Sequence, residues 1–497
     1  WIQLSTGAGN PTRLPLVEGS VVRPGRLKAI LVLLALKKIR RINNADRRSL
    51  RLFRSSCSKK AFLGLIYWLK MMSCCSSTNP EDTWEPEDYY PIRQDCRGDV
   101  PKTRFIPKPR NTLSARRWHS AFTEDGHLDI GKVLLRIQKG GVHPTVKGAV
   151  WEFLLGCYDP NSSFDARNQL RQSRRIEYNE LKSKCQEMEP TIGSGNILTA
   201  AIITDDGQPM EDETNSTTQM ETNNIPLNQD VVRWKLTLHQ IGLDVVRTDR
   251  ALVYYETKEN DAKLWDILAI YSWFDKDIGY CQGMNDLCSP VSILIENEAD
   301  AFWCFEHLMQ RVRANFKCTT STIGVRSQLN ILSSVMKAVD PKLHEHLEKL
   351  DGGEYLFAFR MLMVLFRREF SFVDTLHLWE LIWAAEYNPN LFSRYKSNAA
   401  AKKSTNAAGN ADFLKQCGKF ERKNFRSGQR DNDITLTIFL VAGVLEVKNR
   451  QILTEAKGLD DVVKILNEIT GSLDAKKACN KALKIHKKYL ANKPKAA

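Results

Sequence analysis

The stretch from Ile241 to Leu287 decides the fold, and it reads IGLDVVRTDRALVYYETKENDAKLWDILAIYSWFDKDIGYCQGMNDL. Its first part holds Arg247, three residues after Asp244. Its last part holds Gln282, behind a tyrosine and ahead of a glycine. The apolar spacing between these two parts predicts a helix. Arg247, a planar cation, and Gln282, a neutral amide, are therefore predicted to lie on separate elements that are joined by a helix.

The chain has ample apolar material for a large core, since 42% of its 497 residues are hydrophobic. The net charge is +14, but residues 1–70 alone contribute +13. The remaining residues are therefore close to electrically balanced. A domain that binds nucleic acid would carry a basic footprint of its own, so the charge distribution argues against that function. Only the basic residues 1–70 then remain a candidate for binding nucleic acid.

The common signatures of an active site are absent from the sequence. It contains no GxxxxGK[ST] loop for nucleotide phosphates, no GxSxG, no HExxH and no dinucleotide-binding fingerprint. Its twelve cysteines are scattered, so neither zinc-binding spacing nor a disulfide framework is visible. We expect no metal site and no cofactor of its own. Any catalytic contribution would then be made to a partner.

Helical patterns run through most of the chain. A helix is predicted to start at Asp129 and to stop at the pair Gly140 and Gly141. A buried helical stripe follows between Gly141 and Pro160, and Asp340 with Pro341 predicts another helix start. Residues 355–370 and 374–385 are apolar on nearly all sides, which predicts two central helices.

These patterns predict an all-α protein. One short stretch, Ile197–Thr204, is the exception that could form a strand. Composition further predicts a division into a basic and disordered leader over 1–117, a helical domain over 118–395 with a polar disordered insertion at 206–230, a polar linker over 396–432, and C-terminal helices over 433–491 that end in a basic tail. Within the leader, residues 1–70 are alternatively an upstream extension of the chain.

Four segments of the chain, in the same order, resemble one known family. Ile241-x-x-Asp244-x-x-Arg247-Thr248 and Tyr280-x-Gln282-Gly283-Met284 are similar to the two signature motifs of the TBC domain, the family of Rab GTPase-activating proteins. The segments at 141–156 and 368–380 resemble its opening motif and a later helical motif. The resemblance spans roughly residues 141–387.

The resemblance implies an entirely helical domain that accelerates GTP hydrolysis by a Rab-type GTPase. It implies that Arg247 is an arginine finger and Gln282 a glutamine finger, both supplied in trans. Asp244 would lie on the same helical face as Arg247 and hold its guanidinium. The other supporting residues would be Tyr280, Gly283 and Lys147. Lys147 stands where the family usually has arginine, so it keeps the charge and loses the bidentate geometry.

The resemblance also sets expectations for partners and location. The chain would be an enzyme activator and not itself an enzyme, because GTP and magnesium would be held by the partner GTPase. The partner would be a Rab in its GTP form. A role in vesicle trafficking implies a cytoplasmic protein, with peripheral association with endomembranes left open.

Simpler interpretations of the same residues stay open at this point. Taken alone, Arg247 could form a surface ion pair, and Gln282 could be a polar residue at a helix start. The cluster Arg367, Arg368 and Glu369 could contact a partner or be a solvated charge cluster. The lysine at 147 and the insertions also allow a second function, a scaffold that binds a GTPase without accelerating hydrolysis.

Overall fold

The computed structural model of the chain describes residues 84–204, 208, 210, 228–317, 324–396, 411–428 and 434–492. Within these ranges the chain forms helices and turns, and its only strand-like pairings are isolated bridges. The predicted all-α class is therefore confirmed. Ile197–Thr204 does not form a strand. The expected disorder of residues 1–83 and of most of the 206–230 insertion lies outside the described residues.

The described residues form nineteen α-helices. In order, they are α1 Pro86–Tyr89, α2 Ala115–His119, α3 Ile130–Gly140, α4 Pro144–Leu154, α5 Phe164–Met188, α6 Gln229–Val245, α7 Lys258–Phe274, α8 Met284–Leu294, α9 Glu298–Phe316, α10 Arg326–Val339, α11 Pro341–Lys349, α12 Phe359–Met363, α13 Phe372–Glu386, α14 Leu391–Lys396, α15 Ala411–Gln416, α16 Lys419–Ser427, α17 Leu436–Glu455, α18 Leu459–Asn467 and α19 Ala475–Asn492.

Helix α13 lies at the centre of the core. It is buried from Val373 to Ala385, as expected for a helix that is apolar nearly all round. Helices α3, α4, α16, α17 and α19 pack around it. On one side its Trp379 and Trp383 meet Trp151 of α4, with ring centroids 6.0 and 4.8 Å from the Trp151 ring. Burying three large rings together accounts for much of the local packing energy.

The predicted helix starts are found where the capping residues stand. The side chain of Asp129 accepts a hydrogen bond from the Lys132 backbone N–H at 3.0 Å, at the start of α3. The side chain of Asp340 accepts one from Leu343 at 3.2 Å, at the start of α11. Each cap satisfies a backbone donor that the first turn leaves free.

The segment from Trp84 to Arg117 is not part of the disordered leader that we expected over residues 1–117. Trp84 and Leu113 are buried in the core. The backbone N–H groups of Arg104 and Phe105 donate to the carboxylate of Asp374 on α13, at 2.8 and 2.7 Å. This part of the chain thus forms hydrogen bonds to the central helix, although its sequence has no apolar period.

The expected continuous helix over 355–370 is also wrong. Tyr355, Leu365 and Phe366 have φ angles of 56°, 51° and 61°, in the left-handed region. A right-handed helix cannot pass through such residues. Residues Leu356–Ala358 form one 3-10 turn and only the five residues of α12 are α-helical, after which the chain turns sharply before α13. Burial of the surrounding apolar side chains overrides their helical tendency.

The C-terminal part is more structured than its composition suggested. The expected linker over 396–432 contains α15 and α16, and it buries Cys417 and Phe420. The expected basic tail is helix α19, whose buried stripe includes Ile485 and Tyr489. The residues that the structure describes from Trp84 onward belong to one compact unit. The C-terminal helices are thus part of the same compact unit as the predicted 118–395 domain.

Helices α6, α7 and α8 pack against one another and carry the stretch from Ile241 to Leu287. The turns that follow α6 and precede α8 contain the residues singled out by the sequence. Among the described residues, no helix is both long enough and apolar enough to span a bilayer.

Candidate functional site

The site is built on a buried carboxylate at the end of α6. Asp244 lies in the last turn of this helix and its side chain is fully buried. Arg247 comes two residues after the helix ends at Val245, so the two do not share a helical face as expected. They meet because the chain turns: Nη2 of Arg247 donates to Oδ1 of Asp244. The arginine side chain remains 53% exposed. Its guanidinium is therefore held on one side and open to solvent on the other.

A tyrosine from the second motif uses the other oxygen of the same carboxylate. The hydroxyl of Tyr280 donates to Oδ2 of Asp244 at 2.5 Å. Burial, together with this hydrogen bond and the negative charge of Asp244, raises the pKa of Tyr280 well above its usual value. The hydroxyl thus stays protonated and remains a donor. Tyr280 links the turn that carries Arg247 to the turn that carries Gln282.

Gln282 lies on an exposed turn immediately before α8. The next residue, Gly283, has a φ of 103°, which strongly favours glycine. A Cβ atom there would also lie 3.0 Å from a methyl group of Val364. The Gly283 N–H donates to Oδ1 of Asn285 at 3.1 Å. The glycine therefore lets the chain turn tightly, and this turn leaves the glutamine side chain on the surface.

Hydrogen bonds of buried side chains join the two turns directly. Nδ2 of Asn285 donates to Oγ1 of Thr248 at 2.8 Å. The Thr248 hydroxyl donates in turn to the backbone carbonyl of Asp244 at 2.6 Å. The sequence did not single out Asn285. The sequence feature that could have indicated it is an amide side chain at the start of an apolar helix, because a polar group that becomes buried there needs a hydrogen-bond partner.

Comparison with known proteins places this chain in a family. The family profile described as Rab-GTPase-TBC domain matches residues 144–395, which is about half of the chain. The chain belongs to the Rab-GTPase-TBC domain family. The matched range includes both motifs and the helices α4 to α14.

Three relatives of the TBC domain protein show how far the similarity extends. "Rab GTPase-activating protein 22" of Arabidopsis thaliana is 27% identical, over 76% of this chain and 80% of its own length. "GTPase-activating protein GYP7" of Candida glabrata is 29% identical, over 70% of this chain and 46% of its own length. "TBC1 domain family member 17" of Homo sapiens is 30% identical, over 56% of this chain and 38% of its own length. The chain thus spans less than half the length of the last two.

A solved structure is also similar to this chain. The crystal structure of the Ypt/Rab-GAP domain of Gyp1p superimposes with a TM-score of 0.49 at 17% identity. The superposition covers 75% of this chain and 97% of that domain.

Lys147 of the TBC domain is not on the exposed site. Its side chain is 2% exposed and pairs with the fully buried Glu380 of α13. The carboxylate of Glu380 also accepts from Trp151 Nε1 and from the Val142 N–H, each at 3.3 Å. Burial lowers the pKa of Lys147 and raises that of Glu380. Lys147 therefore joins α4 to α13 inside the TBC domain core.

The cluster at 367–369 of the TBC domain is not a solvated charge cluster. Arg367 and Glu369 are buried. Arg368 is 51% exposed, and its Nε donates to Oδ2 of Asp286 at 2.9 Å. Asp286 lies in the first turn of α8, four residues after Gln282. Of the three residues, Arg368 is thus the one that flanks the site.

Proposed function

We propose that this chain accelerates GTP hydrolysis by a Rab-type GTPase in its GTP form, with Arg247 and Gln282 supplied in trans. One observation carries the proposal. Two exposed side chains, a guanidinium and a carboxamide, stand on turns that are joined through the buried Asp244. Neither turn has a nucleotide-binding loop beside it in the sequence. Such a pair suits a site that reaches into the nucleotide pocket of another protein.

Arg247 would stabilise the negative charge that develops on the phosphates during hydrolysis. Its bond to Asp244 occupies Nη2 and restricts the side chain before the partner arrives. The remaining N–H donors of the planar guanidinium can bind phosphate oxygens. An arginine supplied in this way typically raises the rate by about 10³–10⁵.

Gln282 would orient the water that attacks the γ-phosphate. A carboxamide both donates and accepts hydrogen bonds, so it can hold a water and an acceptor at the same time. The adjacent Gly283 fixes the turn without adding bulk beside the glutamine. In this division of labour the partner holds GTP and magnesium, and this chain requires no cofactor of its own. The activity would place it in the cytoplasm, on endomembranes where Rab-type partners are bound.

The experiment is GTP turnover by a panel of Rab proteins with and without the full chain. We expect stimulation of at least one Rab, and its loss in Arg247→Ala and in Gln282→Ala. The matched control is Arg326→Ala, because Arg326 is also 53% exposed but pairs with Glu354 instead. Absence of stimulation by the wild type, or full stimulation by Arg247→Ala, would rule out the proposal.

The same experiment tests the scaffold function. A scaffold would bind a Rab with no change in turnover, and binding would survive the loss of Arg247 and Gln282. The lysine at 147 gives this alternative no support, because it forms a buried ion pair within the core.

A further inference from the structure

The turn that presents Arg247 contains a backbone strain two residues later. Asp249 has a φ of 47°, in the left-handed region that few residues other than glycine adopt. Aspartate tolerates this region better than most residues, but the conformation still costs free energy relative to an extended or helical one. It persists only where the surroundings hold it. The side-chain contacts of Asp249 show what holds it.

Both oxygens of the Asp249 carboxylate are bound from other parts of the chain. Nη2 of Arg367, 118 residues away, donates to Oδ1. The hydroxyl of Ser289 on α8 donates to Oδ2 at 2.6 Å, and Tyr255 donates to Ser289 at 2.8 Å. The carboxylate is 14% exposed and Arg367 is 8% exposed. Little water competes for these bonds, so the aspartate is held strongly.

Arg367 is itself fixed within the core. Its guanidinium lies over the ring of Phe372, 5.2 Å from the ring centroid. It follows the sharp turn at Leu365 and Phe366 and precedes the central helix α13. The turn after α6 is thereby connected to the segment that leads into the central helix α13.

We propose that the Arg367–Asp249 pair holds the turn in the shape that presents Arg247, so that both are positioning residues for GTP hydrolysis. This inference rests on the proposed function. Neither residue reaches the nucleotide. The pair acts through Arg247. When the Arg367–Asp249 pair is broken, the left-handed conformation at Asp249 relaxes, and the guanidinium of Arg247 is no longer held in one position. A displacement of about 1 Å in a catalytic group can lower a rate by about 100-fold.

The first test compares kcat and KM for Arg367→Met. Methionine keeps an unbranched apolar chain beside Phe372 and removes the donors to Asp249. We expect kcat for the stimulated reaction to fall by about 10–100-fold, with KM for the Rab changed by less than about threefold. A change in KM alone would contradict the proposal. Asp249→Asn should behave in the same way, because asparagine tolerates the left-handed conformation but carries no charge.

The second test is a double-mutant cycle that separates positioning from general damage. It measures binding to a Rab loaded with GDP and aluminium fluoride, a mimic of the transition state that the arginine would contact. Arg367→Met should weaken this binding about 10-fold or more in the wild-type background and leave it unchanged in the Arg247→Ala background. An equal loss in both backgrounds would overturn the proposal.

A neighbouring ion pair supplies the control. Arg360 forms an ion pair with Glu369 at 2.9 Å. Glu369 is buried and lies two residues after Arg367 in the sequence. Arg360→Met therefore also removes an arginine from a buried carboxylate, and we expect kcat within about twofold of the wild type. Thermal unfolding of each variant shows that the assays are run on folded protein.

The two proposals fail in distinguishable ways. If the wild type stimulates no Rab, the proposed function is wrong. If the wild type stimulates a Rab, Arg247→Ala does not, and Arg367→Met retains the wild-type kcat, only the positioning role is wrong.

Discussion

Arg247→Lys is the most informative perturbation of the site. Removing the side chain with alanine would leave the fully buried Asp244 carboxylate without a charged donor. Tyr280 and Gln240 would still donate to it, but a buried carboxylate that loses its cation is destabilised, so the alanine variant would also lose stability. Lysine keeps a positive charge that can pair with Asp244. It therefore separates the geometry of the guanidinium from its charge.

The expected loss follows from the contacts of the arginine. Its Nη2 binds Asp244 while the half-exposed guanidinium offers further donors to a partner. A lysine ammonium is a single atom that can remain on Asp244 or reach a phosphate, but cannot do both. The whole arginine finger is typically worth about 10³–10⁵ in rate, or ~4–7 kcal/mol. We expect Arg247→Lys to lower kcat by about 10²–10³, or ~3–4 kcal/mol.

The assay is single-turnover hydrolysis of GTP on the responsive Rab, at several concentrations of the full chain. This design separates the maximal rate from the affinity for the Rab. Arg326→Lys is the matched control, because Arg326 has the same exposed fraction of 53% and pairs with an exposed glutamate. Thermal unfolding should show the Arg247→Lys variant to be as stable as the wild type.

One result would refute this reasoning. A lysine variant that stimulates hydrolysis within about threefold of the wild type would mean that a positive charge is sufficient. The fork of donors, and the hold that Asp244 has on it, would then have no catalytic role.

Three further predictions concern Tyr280, Lys147 and Asp266, a buried residue of α7. Tyr280→Phe removes one of the donors to buried Asp244, so the free energy of unfolding measured in urea should fall by about 1–3 kcal/mol. We also expect kcat to fall about tenfold; an unchanged free energy of unfolding would contradict the hydrogen bond. Lys147→Met leaves Glu380 buried without its cation and should lower the free energy of unfolding by about 3–5 kcal/mol. We expect kcat per folded molecule to stay within about twofold of the wild type; a loss of kcat without a loss of stability would mean that Lys147 supports the site directly. Burial raises the pKa of Asp266 from 3.8 to about 6. Its contribution to stability is therefore fully present below about pH 4 and lost as pH rises through 6, by ~3 kcal/mol. Unfolding curves between pH 4 and 7 should show this slope in the wild type and not in Asp266→Asn.

The sequence predicted the helices wherever a local signal marked them. Asp129 and Asp340 cap helices at the expected residues, because a cap depends on a side chain and a backbone N–H only three residues apart. The break at Leu365 and Phe366 was missed, because their left-handed conformations are imposed by packing. Helices α15 and α16 were missed for a related reason. Their sequence is polar, and a few buried residues such as Phe420 stabilise them only in the folded chain.

What the sequence by itself determined is therefore the helical class, the family resemblance, and the choice of Arg247 and Gln282 as candidate site residues. Residue type and short spacing were sufficient for these. Only the tertiary structure decided that Lys147 is buried against Glu380 and that Arg367 turns inward to Asp249. These partners are 233 and 118 residues apart. The orientation of a charged side chain depends on which distant helix packs beside it, and no local pattern contains that information.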